Sequence, residues 1–290
     1  MDTVLILMAS PGSGALRNRN LMRVAALLPG PPHWLAEDEA AEWHLASSEP
    51  GLELALKEAL ADLPIDIAII PAANRAKKLL VADMDSTFIA QECIDELGAA
   101  AGVGDQVAAI TFRAMRGELD FEGALTERVA LMQGLPESII AELIAKTDFT
   151  PGGKTLVATM KKHGGHTALI SGGFTQFTSH VAEICGFDEH SANSLIIENG
   201  ILTGKVAHPI LGRAAKITAL NEITTRLGIS AQDAISVGDG ANDIGMIEAA
   251  GLGIAFHAKP HVRQAADVRI DHGDLTALLY VQGYAKNDWA

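Results

Sequence analysis

The run LLVADMD, from Leu79 to Asp85, constrains the fold more than any other stretch of this chain. Four consecutive apolar residues without polar alternation are typical of a strand that is buried on both faces, as in a parallel sheet covered by helices. The run ends in Asp83 and Asp85, two like charges one residue apart. Crowding two carboxylates is costly unless a cation compensates them, so another part of the site is expected to supply one.

Alternating strand and helix patterns continue from this run to the end of the chain. A helical block broken by glycines comes first. It is followed by the strand HTALIS, a hairpin NSLIIENGILTGKV with its turn at Asn199 and Gly200, and the strands AISV, GIAF and VRI. This order predicts an α/β domain with a doubly wound parallel sheet over residues 76–290, and a helical cap inserted at about residues 92–150.

The first 75 residues have a different order. The segments TVLILMA, PHWLA, AEWHLA and IDIAII are typical of strands, while residues 15–28 and 51–63 have helical patterns. The resulting βαββαβ order predicts an α+β ferredoxin-like domain over residues 1–75, which PAANRAKK connects to the second domain.

Composition narrows the range of partners. The chain has 290 residues and a formal net charge of -14, which disfavours nucleic acid and anionic membranes as partners because no compact Lys/Arg cluster offsets it.

Cys93 and Cys185 lack metal-type spacing and are expected to be buried thiols. The start MDTVLILMASPGSGA carries an acid and only a short apolar run, so it favours a first strand over a signal peptide. The protein is therefore predicted to be cytoplasmic.

Polar residues end three of the predicted parallel strands. Asp83 and Asp85 follow LLVA, Ser171 follows TALI, and Asp239 follows AISVG. Ligands on such sheets bind beyond the carboxyl ends of the strands, so these side chains are expected to meet at one site. Alone, the D-x-D-x-T pattern is weak evidence for a functional site. It becomes strong evidence when it follows a strand and polar residues end two other strands.

The combination resembles the haloacid dehalogenase superfamily of phosphohydrolases, whose four motifs match DMDST, Ser171 in LISGG, Lys216 and GDGAND. Within that superfamily, QECIDELG, MRGELDFEGALTERVALMQGLP, ISGGF and GDGANDIGM are similar to strings of the phosphoserine phosphatases. This similarity runs from about Lys77 through Asp271. The N-terminal segment resembles the ACT-like domain of some bacterial members. Such domains often pair edge to edge, so the resemblance is compatible with a homodimer.

The resemblance implies magnesium-dependent phosphoryl chemistry at the DMDST motif. Asp83 would be the nucleophile that forms an aspartyl phosphate. Asp85 would protonate the departing serine oxygen and then deprotonate the attacking water. Mg²⁺ would be the compensating cation, held by the Asp83 carboxylate, the Asp85 backbone carbonyl and Asp239. Asp243 would belong to the same metal site.

The resemblance also implies how the substrate is held. Ser171, the Gly172 N–H and Lys216 would hold the phosphoryl oxygens, while Asn242 would order their surroundings.

Four further residues are implied as contacts for the amino-acid part of the substrate. Glu92 would bind the ammonium group, and Arg128 would bind the carboxylate through two parallel hydrogen bonds. Met115 and Phe121 would be apolar contacts from the cap. Judged from the residues alone, Glu92 and Arg128 are ordinary solvated charges on helices, and only the resemblance gives them this role.

The predicted function is the Mg²⁺-dependent hydrolysis of O-phospho-L-serine to L-serine and phosphate, the last step of serine biosynthesis. One alternative is a related phosphatase or phosphotransferase acting on another small phosphorylated amino acid, such as phosphohomoserine. Another is a serine-sensing regulatory protein with a vestigial core. The intact set of Asp83, Asp85, Ser171, Lys216 and Asp239 argues against lost catalysis.

Overall fold

The computed structural model describes residues 2–46 and 50–290. Its N-terminal part contains the strands β1 (Thr3–Ala9), β2 (His33–Ala36), β3 (Ala40–Leu45) and β4 (Ile65–Pro71), with helices α1 (Asn18–Leu21) and α2 (Leu52–Ala59). The strands form one sheet in the order β2-β3-β1-β4, and all neighbours are antiparallel. This is the ferredoxin-like arrangement that the sequence predicts.

Both faces of this first sheet are covered. Alternate residues of a strand point to opposite faces, and β1 uses both of its faces for packing. Leu5 and Leu7 pack in a cluster with Leu56 of α2, whereas Ile6 and Met8 belong to the main core of the molecule. The N-terminal sheet is therefore held to the rest of the chain by a broad apolar surface.

The second sheet has six parallel strands. They are β5 (Leu79–Ala82), β6 (His166–Phe174), β7 (Glu189–Asn193), β10 (Ala234–Gly238), β11 (Leu252–Phe256) and β12 (Val268–Ile270). Their spatial order is β12-β11-β10-β5-β6-β7, so the first strand in sequence lies in the middle.

Helices cover both faces of the second sheet. These are α7 (Gly153–Lys162), α8 (Thr175–Cys185), α9 (Arg213–Leu227), α10 (Ile244–Ala249), α11 (Pro260–Ala265) and α12 (Ala277–Val281). On β5, Leu80 faces the cluster that includes α7, α8 and α12, and Leu79 faces the cluster of α9 and α10. The predicted doubly wound sheet is confirmed, and the fully apolar β5 is explained by burial on both faces.

The predicted cap consists of four helices, α3 (Cys93–Ala100), α4 (Gly104–Met115), α5 (Phe121–Ala130) and α6 (Ser138–Ile144). A hairpin of β8 (Leu195–Glu198) and β9 (Ile201–Val206) packs against α5. Its turn is at the predicted Asn199 and Gly200, which both have positive φ, as a type I′ turn requires. The hairpin thus extends the cap, although it comes much later in the chain.

One sequence-based expectation about secondary structure was wrong, and one strand was missed. The helix predicted over residues 15–28 is broken into the four-residue α1 and a 3-10 turn at Ala25–Leu27, and the Asn20 side chain donates to the Ala15 carbonyl in competition with helical bonding. Strand β7 was not predicted, because its sequence EHSAN is polar.

The predicted boundary between the two domains, at residues 75 and 76, stays a prediction. Among the described residues, no helix has the length and apolarity to cross a bilayer.

Candidate active site

The three polar strand ends meet at one edge of the second sheet. Strand β5 lies between β6 and β10, so the loop that carries Asp83 and Asp85 has Ser171 on one side and Asp239 on the other. Asp83, Ser171 and Asp239 are all buried. The sequence therefore placed these groups correctly at the carboxyl edge of the sheet, next to the central strand.

Lys216 is the buried cation nearest to Asp83. It projects from the first turn of α9 and is 2% exposed. Its Nζ lies 2.6 Å from Asp83 Oδ1 and 2.5 Å from Asp243 Oδ1. Burial opposes the charge on this ammonium, but the carboxylates of Asp243 and Asp83 raise its pKa above the usual value. Lys216 thus supplies part of the positive charge that the paired aspartates require.

Asp243 bridges the lysine and a glycine loop. Although it is the first residue before α10, its side chain does not cap that helix. Its Oδ2 accepts instead from the Gly240 N–H at 3.0 Å. A β-carbon on Gly238 would overlap the Asp243 carboxylate, so the glycine of the motif makes room for this side chain. Asn242 lies beside Gly240 and is partly exposed.

Three carboxylates form a group that could hold a metal ion. Asp83, Asp239 and Asp243 each offer one oxygen, and these oxygens lie within 4.8 Å of one another. Burial and then the charge of Asp243 raise the pKa of both Asp83 and Asp239. A hard divalent cation such as Mg²⁺ would relieve this repulsion and prefers oxygen ligands, so the donor set fits the ion. Among the described residues, this is the single such cluster.

The Asp85 side chain is engaged outside that cluster. Its Oδ1 accepts from the Cys93 N–H at 2.9 Å, and its Oδ2 accepts from the Ser171 hydroxyl at 3.2 Å. A β-carbon on Gly173 would lie 2.7 Å from Oδ2, so a larger residue there would displace the carboxyl group. Burial raises the pKa of Asp85, which favours a protonated group that can act as an acid.

Ser171 and Gly172 form an irregular end of β6. The Ser171 hydroxyl accepts from the Gly173 N–H at 2.8 Å. The Phe121 ring, at the start of α5, packs against Gly172. A β-carbon added to Gly172 would lie 3.1 Å from this ring. The α5 start is fixed by Asp120, whose side chain accepts from the Gly123 N–H. Phe121 is thus the predicted cap residue that the structure brings to the Ser171–Gly172 end of β6.

Glu92 and Arg128 face the site from the cap region. Glu92 accepts from the Ser86 hydroxyl at 2.7 Å. Its side chain is exposed at the surface, but partial desolvation by its neighbours together with the Asp85 charge raises its pKa to about 7. Burial lowers the pKa of Arg128, while the carboxylates of Asp95 and Glu92 oppose that shift. The Arg128 guanidinium therefore lies within electrostatic range of Glu92.

Arg128 also bonds within the cap. Its Nε donates to the Ala124 carbonyl, and its Nη1 donates to the Thr111 hydroxyl. Met115 differs from the other predicted contacts. It lies at the end of α4 with its side chain 76% exposed, so this structure does not bring it to the other site residues.

Three residues that contribute to the candidate site were not found from the sequence. Ser86 orients Glu92, Lys259 lies 3.7 Å from the Asp239 carboxylate, and buried Asn193 bonds the Gly172 carbonyl. Ser86 is the fourth residue of the DMDST motif, which is a usable signal. Lys259 and Asn193 are single polar residues far from the others in sequence, and no local pattern marks them.

Comparison with known proteins gives a family for this site. Residues 80–248 match the family model of the haloacid dehalogenase-like hydrolases, which is more than half of the chain. The phosphoserine phosphatase of Streptococcus thermophilus is 45% identical over 208 residues, which cover 72% of this chain and 97% of that protein. The similarity thus includes the strands and the cap that carry the candidate site.

Two further similar proteins differ in how much of each chain the similarity covers. The phosphoserine phosphatase of Streptomyces coelicolor is 43% identical over 83% of this chain, but the matched part is only 59% of the Streptomyces protein. A crystal structure of a haloacid dehalogenase family hydrolase from Salmonella enterica serovar Typhi has a TM-score of 0.86 at 30% identity. It covers 97% of this chain and 98% of its own, so its similarity includes the N-terminal sheet.

Proposed function

Because the chain belongs to the haloacid dehalogenase-like hydrolases, we propose that it hydrolyses O-phospho-L-serine to L-serine and phosphate. One observation carries the chemistry: buried Asp83 lies beside the Lys216 ammonium within a group of three carboxylates at the centre of the sheet edge. The assignment of the substrate is supported by the similarity to phosphoserine phosphatases. It is also supported by Glu92 and Arg128, whose charges suit the ammonium and the carboxylate of an amino acid. The reaction would be the last step of serine biosynthesis.

In the first step of the proposed reaction, a carboxylate oxygen of Asp83 attacks phosphorus and the serine oxygen departs. Asp85 donates the proton that this oxygen needs, since its raised pKa favours the protonated form. In the second step, Asp85 accepts a proton from water, which attacks the aspartyl phosphate and restores the Asp83 carboxylate. Lys216, the Ser171 hydroxyl and the Gly172 N–H hold the phosphoryl oxygens throughout.

We propose that Asp83, Asp239 and Asp243, together with the Asp85 backbone carbonyl, hold Mg²⁺. When bound, the ion would offset the carboxylate charges and the negative charge of the phosphoryl group. The cap residues act on the rest of the substrate. Phe121 closes over Gly172 and excludes water, and the Ser86 hydroxyl keeps the Glu92 carboxylate in one orientation.

The direct test is phosphate release from O-phospho-L-serine, O-phosphohomoserine and a panel of simple phosphomonoesters, with and without Mg²⁺. We expect Mg²⁺-dependent release that favours phosphoserine, with the Asp83→Asn variant as the blank. Release from other esters but not from phosphoserine would leave the nucleophile in place and overturn the assigned substrate. No release from any ester would overturn the proposed chemistry.

A matched pair of arginine variants tests the substrate contacts. Arg128→Ala is expected to raise KM for phosphoserine by about tenfold or more, because a charge-assisted bidentate contact is lost. Arg113→Ala is the control, since this cap arginine pairs with Glu127 at the surface. Equal effects of the two substitutions would contradict a carboxylate-binding role for Arg128.

A further inference from the structure

Buried Asn193 at the end of β7 joins the two backbone segments that carry the phosphate-binding groups. Its side chain is 2% exposed and makes three hydrogen bonds. Its Nδ2 donates to the Gly172 carbonyl at 2.9 Å and to the Leu211 carbonyl at 3.2 Å. Its Oδ1 accepts from the Leu211 N–H at 2.7 Å. Both amide hydrogens and the amide oxygen are therefore used.

The pairing of β6 with β7 explains why a side chain is needed here. Ile170 pairs with Ser191 and Phe174 pairs with Asn193, so β6 advances four residues while β7 advances two. The extra residues bulge out at the strand end that carries Ser171 and Gly172. A bulge leaves backbone groups without ladder partners, and the Asn193 amide supplies a donor for the Gly172 carbonyl.

The second segment leads directly into the helix that carries Lys216. Leu211 is two residues before α9, which begins at Arg213, and Lys216 lies in the first turn. Asn193 bonds both the N–H and the carbonyl of Leu211, as a neighbouring strand would. The same side chain therefore fixes the position of the α9 start relative to Gly172.

The cap contacts the same two segments through the Phe121 ring. A β-carbon on Gly172 or on Gly212 would lie 3.1 Å or 3.0 Å from the Phe121 ring. The ring fits only while these two backbone segments keep their spacing, because both glycines already lie against it. Asn193 sets this spacing through its hydrogen bonds to both segments.

We propose that Asn193 is a positioning residue that holds the Ser171–Gly172 phosphate cradle and the Lys216 helix at the separation that a phosphoryl group requires. This inference rests on the proposed function for the identity of the substrate. It does not depend on that function for phosphate binding itself. A displacement of about 1 Å at a phosphoryl site lowers rates by roughly a hundredfold, which sets the size of the expected effect.

Asn193→Asp tests the inference with little change in volume. The new carboxylate can still accept from the Leu211 N–H but faces the Gly172 and Leu211 carbonyls without hydrogens to donate. We expect kcat to fall by about ten- to a hundredfold and the inhibition constant for inorganic phosphate to rise by about tenfold. Asn221→Asp, the same change on the exposed face of α9, is expected to leave both values within about twofold.

A second ligand separates positioning from general structural damage. L-serine, the product of the proposed reaction, would contact Glu92 and Arg128, which Asn193 does not bond, so the inhibition constant of L-serine is expected to stay within about twofold. A parallel weakening of serine and phosphate would assign Asn193 a merely structural role and overturn the inference. Unchanged kcat and phosphate inhibition in Asn193→Asp would overturn it as well.

The experiment still gives a result if a variant or the proposed substrate fails. If Asn193→Asp does not fold, Asn193→Ala replaces it, with the same expected losses and the same contradicting outcomes. If the wild-type protein does not hydrolyse phosphoserine, the proposed function fails. The increase in Tm that inorganic phosphate produces in the presence of Mg²⁺ then decides the inference, which requires a smaller increase in Asn193→Asp than in Asn221→Asp.

Discussion

Two buried aspartates, Asp66 in the N-terminal sheet and Asp83 in the candidate active site, are both 4% exposed but are compensated in different ways. Asp66 receives backbone N–H groups from the loop after β12. Asp271 and Gly273 donate to it at 2.7 Å each, and His272 donates at 3.1 Å. Burial raises the pKa of Asp66, and these three hydrogen bonds oppose the shift.

Asp83 is compensated instead by a side-chain charge. It pairs with the Lys216 ammonium, and two further carboxylates lie close by. An ammonium group and a metal ion can both exchange contacts with phosphoryl oxygens, whereas backbone N–H groups in a packed loop stay where they are. The surroundings of Asp66 therefore suit a fixed joint between two sheets, and those of Asp83 suit a site where charge changes during a reaction.

The largest expected effect separates activity from stability at Asp83. Asp83→Asn removes the nucleophile, because an amide oxygen does not attack phosphorus at a useful rate, and kcat is expected to fall by at least about 10⁴-fold. Lys216 keeps its pairing with Asp243, so the urea midpoint of unfolding is expected to stay close to that of the wild type. Phosphate-release kinetics and urea unfolding measure the two quantities. Residual turnover within tenfold of wild type would assign the attack to another group.

Lys216→Met tests the compensating charge. Its loss leaves Asp83 and Asp243 facing each other without the ammonium, and kcat is expected to fall by about 10²- to 10³-fold. Lys259→Met is the control, because Lys259 is 55% exposed at 3.7 Å from Asp239 and is expected to matter less than tenfold. Steady-state kinetics at saturating Mg²⁺ compare the two variants. A larger loss from Lys259→Met would reverse the assignment of these lysines.

Asp66→Ala is expected to show the opposite pattern to Asp83→Asn. It leaves three N–H groups of the 271–273 loop without their partner, which is expected to lower the free energy of unfolding by about 2–4 kcal/mol. The kcat of the folded variant is expected to stay within about twofold. Asp62→Ala, at a surface aspartate that pairs with Arg23, is the matched control for urea unfolding. Equal midpoints for the two variants would show that the buried joint contributes little.

The smallest expected effect is the pH dependence of substrate binding at Glu92. Its pKa is about 7, so the carboxylate that would pair with an ammonium is mostly neutral at pH 6 and mostly charged at pH 8. KM for phosphoserine is therefore expected to fall by up to about tenfold over this interval. Glu92→Gln, which cannot titrate, is expected to lose this dependence. Parallel profiles for wild type and Glu92→Gln would place the titration on another group.

The predicted elements succeeded where local patterns are strong. The apolar β5, the Asn199–Gly200 turn and the polar strand ends each depend on a few adjacent residues. The first predicted helix is broken where Asn20 bonds the backbone locally, and β7 was missed because an edge strand tolerates polar residues. Met115 shows a further limit, since its motif position does not determine how far its side chain is exposed.

The class of fold and the placement of carboxylates after the strands follow from local sequence, because strand periodicity and the residues that end strands are local properties. Which groups compensate these carboxylates depends on contacts between distant parts of the chain. Lys216 meets Asp83 across more than 130 residues, and Asn193 and Asp66 bond segments that no sequence pattern connects to them. Such pairs form because the parallel sheet brings distant strand ends to one edge, and burial there makes each unpaired polar group costly.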